Sequence, residues 1–382
     1  MDTQPLLSTG GMIYMGLYLF SLIGIGLAGR FARKENTMAD FYLAGRGMGV
    51  FVLFLTLYAT QYSGNTLIGF TSRAYREGFT ALVTVTFMTV IVGAYLIFAP
   101  KLYRLSKEHN YITMGDFIQH RFQSTTLTVT ITIIAIIALG NYILTNLKAI
   151  GFIIVAATGG QVSFAQGIIV LSLIMVIYET LGGMRSVAWT DMIQGVLLLF
   201  GVFFIFITIQ SEYGGLVKMS EQIKNIRPDF WQPPDWGEKR LWLSTIIIVF
   251  FGISVYPHAI QRIYAARSAT TLRRSLAVMA FLPLTTTVIA LIVGIMGAAY
   301  GPLLKDAESD KILTVICSQI QQQSLFGRWL VTVLFAAVLA AIMSTADSVL
   351  LSISSMLTKD IYGQWFQTAA SEASLVVRVP KG

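Results

Sequence analysis

The chain has 382 residues, 55% hydrophobic and only 12% charged. A soluble domain carries about 25% charged residues, so this balance excludes an ordinary soluble protein and indicates an all-α polytopic membrane protein. The net charge of +8 gathers in short basic loops rather than marking a nucleic-acid partner, and the single Cys317 excludes a disulfide framework.

Apolar runs of about 20 residues or more predict nine spans, near 11–29, 47–72, 79–100, 126–157, 161–180, 187–210, 241–260, 275–300 and 328–358. They make one transmembrane domain over 1–362, followed by a cytoplasmic tail, 363–382. No Lys or Arg precedes the first span, and Arg30, Arg33 and Lys34 follow it. The first span is therefore read as no cleavable signal, and the N-terminus is expected outside. Alternation then puts the basic loops 30–46, 101–125 and 261–274 inside, with Arg185. Nine spans leave the C-terminus in the cytoplasm, in a plasma (inner) membrane protein.

Span two contains Ala59-Thr60-Gln61-Tyr62-Ser63-Gly64-Asn65 at mid-membrane. Irregular backbone at that depth survives only where protein or a wet cavity satisfies it; a simple kink is the plainer reading. Segment 101–125 includes a short amphipathic stretch that is expected to lie on the membrane face. In span four, Asn141, Asn146 and Lys148 interrupt the apolar run. Lys148 either snorkels to an end or lines a wet interior. Asp191 and Gln194 open span six, where a carboxylate complements the helix dipole or marks an aqueous cation exit. The 211–240 loop, with its prolines and aromatics, is expected to form an ordered external cap. In span seven, Pro257 removes a backbone donor shortly after Gly252 and just before His258.

The last span, LFAAVLAAIMSTADSVLLSISSMLT at 334–358, is apolar yet carries Ser344, Thr345, Asp347 and Ser348. Hydroxyls in such a helix bond back one turn or join two helices; polar groups at this depth also mark ion and substrate paths. Interrupted helices at corresponding positions of two halves are the sequence sign of a secondary-transporter site, and spans two and seven stand in that relation if span one is an added leading helix. No nucleotide-binding loop or catalytic constellation occurs, so no enzyme and no cofactor are expected.

Six blocks in order resemble the sodium:solute symporter family: DFYLAGR (40–46), ATQYSG (59–64), ITMGDFIQHRF (112–122), GGMRSVAWTDMIQG (182–195), YPHAIQRIYAARS (256–268) and AAIMSTADSVLLSISSMLTKDIY (340–362). The likeness is nearer to the proline and pantothenate branches than to the sugar branch, since span three has no acidic residue. It implies a leucine-transporter-like core of inverted repeats with one extra N-terminal helix, and sodium as the co-transported ion. Sodium ligands carried over from the family are the carbonyls of Ala59, Tyr62 and Ala341 and the hydroxyls of Ser344 and Thr345. Asp191 corresponds to an aspartate on the sodium path. A small organic solute (amino acid, pantothenate or monocarboxylate-like) is expected near Gln61, Ser63, Tyr256 and Pro257, with Asn146 further out.

Two departures qualify that expectation. Gln61 stands where proline symporters have an aspartate, so a carboxylate contribution to sodium binding is missing. The family core also implies two spans after 328–358, whereas 363–382 is short and polar, so the last core helices are expected to be missing. Sodium-coupled symport by alternating access is the leading reading. A non-transporting symporter-like sensor, an inactive fragment, and proton coupling through Asp191, Asp347 or Lys148 stay open beside it.

Overall fold

Lipid offers no partner to backbone polar groups, so a chain this apolar must close its hydrogen bonds within helices. The computed structural model describes residues 5–363 except 213, 305 and 324. Among the described residues there are helices and no strand, only an isolated parallel bridge between Met48 and Ala266. Of the expected tail, all but Gly363 lies outside the described residues.

The first helix, α1 (Thr9–Phe31), starts at Ser8, whose hydroxyl accepts from the Gly11 N–H. It leads to the short α2 (Met38–Leu43) and then α3 (Val50–Gln61). After a break come α4 (Phe70–Glu77) and α5 (Val83–Glu108), joined through a tight turn at Gly78, whose φ is +60°. Next are the surface helix α6 (Met114–Phe122), then α7 (Thr125–Thr158), α8 (Phe164–Gly182) and α9 (Met184–Glu212). The second half holds α10 (Gly215–Ile226), α11 (Trp236–Gly252), α12 (Pro257–Ala265), α13 (Ala269–Met279), α14 (Val288–Tyr300), α15 (Ile312–Gln323) and α16 (Leu325–Met356). Seven helical segments among the described residues are long and apolar enough to cross a membrane, or eight counting the bent α11–α12 pair. The protein is a multi-pass membrane protein.

Three features position the site. First, α16 is the central helix: 89% of its most apolar stretch is buried, against 22–50% in the other segments. Ala336, Ala337, Ala340 and Ala341 are at most 1% exposed, and such small side chains let neighbouring backbones approach. Second, two helices are interrupted. Helix α3 ends at Tyr62 (φ −98°, ψ 77°), and Asn65–Gly69 form a wide π-type turn before α4. Between α11 and α12 the chain bends by 54° at Tyr256, where Pro257 occupies the first helical position and its missing N–H costs nothing. Third, the interrupted helices are tied together. Met48 N–H donates to Ala265 O (3.2 Å) and Arg267 N–H to Met48 O (2.9 Å), which joins the start of α3 to the end of α12.

Every residue of α12 is buried. The expected inside loop 261–274 therefore starts too early: the helix runs on to Ala265 and takes Arg262 into the core. Between the end of α9 and the start of α11, the 211–240 segment holds α10 and a single turn, Pro228–Trp231, whose Phe230 packs over Gly78 where any Cβ would collide with it. Near the end of the bundle, Arg185 clasps Asp40 with two hydrogen bonds, 2.8 and 3.1 Å. Burial alone would raise the Asp40 pKa, but the hydrogen bond and charge of Arg185 outweigh it and hold the carboxyl below the usual range.

Candidate ion and solute site

The last carbonyls of a helix have no partner inside it, and α3 ends in mid-bundle at Gln61, against α16. Ala59 and Tyr62 are fully buried in that closing turn. Between them, the Thr60 carbonyl lies 3.5 Å from the Thr345 hydroxyl. Gly64, in the break, sits so close to Ile342 that a Cβ there would strike its side chain. The structure thus brings the end of α3, at Thr60 between Ala59 and Tyr62, against Thr345 of α16, and the break at Gly64 against Ile342.

Both hydroxyls at this junction have their protons committed, Ser344 to a neighbouring carboxylate and Thr345 to a carbonyl one turn back in its own helix. Ser344 Oγ donates to Asp191 Oδ1 (2.5 Å), and Thr345 Oγ1 donates to Ala341 O (3.1 Å). A hydroxyl whose proton is committed still has lone pairs to offer. The pair is therefore set to act as oxygen acceptors, which is what a hard cation requires.

Asp191 lies two turns into α9 and is completely buried, so it is not a first-turn dipole partner. Its Oδ2 accepts from Arg262 Nη2 (2.8 Å) and from the Thr56 hydroxyl, while Oδ1 takes Ser344. Arg262 is equally buried. It also donates from Nε to Thr56 Oγ1 (2.9 Å), from Nη1 to His258 O (3.1 Å) and from Nη2 to Ser348 Oγ. Ser348 Oγ is 3.2 Å from Thr60 Oγ1, which returns the network to the end of α3.

The expected solute residues also gather. Gln61 Oε1 accepts from the Tyr95 hydroxyl at 3.3 Å. Asn146 Nδ2 donates to Tyr142 O (3.0 Å). The Tyr256 ring lies 6.2 Å from that of Tyr142 and 4.4 Å from His258. Tyr142, Tyr256 and Pro257 belong to the lining of a cleft of about 820 Å³ whose other walls are mostly apolar, with Phe98, Met114 and Leu139 among them, apart from Lys101 and Ser254. That size lies within the range of small-molecule sites, about 300–1,000 Å³.

The sodium:solute symporter family model matches residues 41–380. The chain belongs to the sodium:solute symporter family. The symporter is 28% identical to the osmoregulated proline transporter OpuE of Bacillus subtilis, over 96% of this chain and 74% of that protein. With the sodium/pantothenate symporter of Haemophilus influenzae it shares 26% identity, over 93% and 73% of the two chains. Its fold matches a solved Na+-coupled sialic acid symporter with a TM-score of 0.79 at 19% identity, covering 96% of this chain and 78% of that one. The fold is thus leucine-transporter-like, the activity class is sodium-coupled symport of a small organic solute, and the symporter is a transporter rather than an enzyme.

Several residues of the symporter's polar core were not singled out in the sequence. Thr56 reads as one Thr in an apolar run, Arg262 as a loop cation, and Tyr95 and Tyr142 as ordinary span aromatics. The i, i+4 register of His258 and Arg262 after Pro257 was the available signal, since a half-helix opened by proline carries both inward. Asp347 is bound by the Tyr178 hydroxyl (2.5 Å) inside the protein, whereas Lys148 is exposed on the outer side of α7.

Proposed function

We propose that this symporter moves an amino acid, pantothenate or a monocarboxylate-like solute into the cell together with sodium. It works by alternating access in the plasma (inner) membrane, with its N-terminus outside and its C-terminus in the cytoplasm. Sodium is held by the carbonyls of Ala59, Tyr62 and Ala341 and the hydroxyls of Ser344 and Thr345, with Asp191 behind Ser344 as the nearest negative charge. The solute binds beside the two helix breaks, at Gln61, Ser63, Tyr256 and Pro257, with Asn146 at the edge.

One observation carries this reading: the interrupted end of α3 abuts two α16 hydroxyls whose protons are already taken, by Asp191 and by the Ala341 carbonyl, which leaves their lone pairs to a cation. Freed carbonyls and hydroxyls supply a cation shell without a formal charge at the ligands. The proline and pantothenate relatives support the solute class.

The test is uptake into proteoliposomes with and without a sodium gradient, using proline, pantothenate and pyruvate. Ser344→Ala with Thr345→Ala abolishes sodium dependence if the site is right; sodium dependence unchanged in that variant sinks the assignment. A binding solute also raises the melting temperature, because ligands of the folded state stabilise it. Uptake driven by a pH gradient alone in sodium-free buffer would replace sodium coupling by proton coupling.

A further inference from the structure

Asp191 and Arg262 form an ion pair that is fully buried on both sides. Such a pair, cut off from water, holds together only when each charge is matched and its remaining hydrogen-bonding capacity is filled. Here that is the case: the guanidinium reaches Asp191, Thr56, Ser348 and the His258 carbonyl, and the carboxylate also takes Thr56 and Ser344. The carboxylate therefore already has its cation. Yet this same carboxylate orients Ser344, and Ser344 belongs to the junction assigned to sodium. A positive ion entering that junction meets a carboxylate whose field the guanidinium has largely cancelled, and it meets the guanidinium's own repulsion.

We propose that Arg262 is a tethered counter-cation that competes with sodium for Asp191, and so sets the sodium affinity of the transporter. This rests on the sodium site assigned above and gives it a regulator. Sodium entry weakens the Arg262–Asp191 contact, and sodium release restores it. The tether is the buried half-helix α12, whose far end is bonded to the start of α3 through Met48. The ion's arrival is thereby felt at both interrupted helices, because the residue it competes with is carried on one and hydrogen-bonded through Thr56 to the other. Ser348 acts as the catch: its hydroxyl accepts from Arg262 and lies against Thr60 at the end of α3.

The experiment measures sodium affinity of the full chain in lipid nanodiscs, from the rise in melting temperature on titrating sodium chloride against choline chloride at constant ionic strength. Arg262→Met keeps the apolar stem and deletes the charge. It should bind sodium at least tenfold more tightly than the parent, corresponding to about 1.4 kcal/mol, and melt lower than the parent when sodium is absent. Arg262→Lys, which retains a cation, should stay within a few-fold of the parent. Adding Asp191→Asn to Arg262→Met should cancel the gain. Should Arg262→Met not fold without sodium, Ser348→Ala supplies the milder test: it removes one bond to the guanidinium and should tighten sodium binding in the same direction. The proposal is overturned if the parent responds to sodium, Ser344→Ala with Thr345→Ala loses that response, and neither Arg262→Met nor Ser348→Ala tightens it. A parent that shows no response to sodium overturns the sodium site and this proposal together.

Discussion

Gly64 offers a direct test of how tightly the helix break is seated on α16. A Cβ at residue 64 would run into the Ile342 side chain, with Cγ1 as the nearest atom. Ile342 is 0% exposed and sits on the most buried helix of the molecule, so the helix has little room to retreat. Overfilling a packed interior costs about 1–3 kcal/mol, which is the loss expected for Gly64→Ala. Ile342→Ala alone leaves a hole and costs about 2–5 kcal/mol. In the double variant the new methyl enters the space left by Ile342, so the clash term disappears and the combined cost falls below the sum by about 1–3 kcal/mol. SDS-titration unfolding of the four proteins reads this coupling directly. Strict additivity would mean that the break at Gly64 does not press on Ile342, and that α3 does not end against α16.

Three further outcomes follow from single contacts. Tyr178→Phe removes the hydroxyl that donates to the buried Asp347 carboxyl; leaving such an acceptor unmade costs about 1–3 kcal/mol, measurable by the same unfolding titration, and no loss would show the bond to be idle. Gly26→Ala places a Cβ 2.7 Å from the Tyr178 Cα, so α1 must separate from α8, and crosslinking yield between cysteines placed across that interface should drop. Asp40 is held below the usual carboxylate range by Arg185, so the clasp contributes stability above the unfolded-chain pKa and loses it as pH falls through the lower, folded value. Asp40→Asn should therefore melt lower at neutral pH and flatten the acid limb of the melting curve; an unchanged acid limb would show that other groups set it.

The helical architecture could be read from the chain because its cause is local. A run of about 20 apolar residues has to be helical in lipid, and Pro257 or the Gln61–Gly64 stretch disrupts a helix wherever it is placed. The Ser344–Thr345 pair was visible for the same reason, as hydroxyls where the bilayer disfavours them. Arg262 was not. Its distance from the end of the apolar run made it a loop residue, and only the bend at Tyr256 together with the bridge to Met48 carries it inward. The 261–274 loop boundary failed on that account.

Asp191 shows the division most clearly. Its residue type and place near the start of α9 allowed either a helix-dipole partner or a group on an ion path, and nothing local separates these. Thr56, Ser344 and Arg262 come from α3, α16 and α12, between 71 and 153 residues away in the chain. Spacing along one helix can show which side chains share a face. It cannot show which faces of separate helices meet, because that depends on how closely the alanine-lined α16 lets its neighbours approach and on where the two interrupted helices turn. Helices, breaks and the presence of a hydroxyl pair at membrane depth are therefore properties of the linear chain, while the charge that balances Asp191 is a property of the packing.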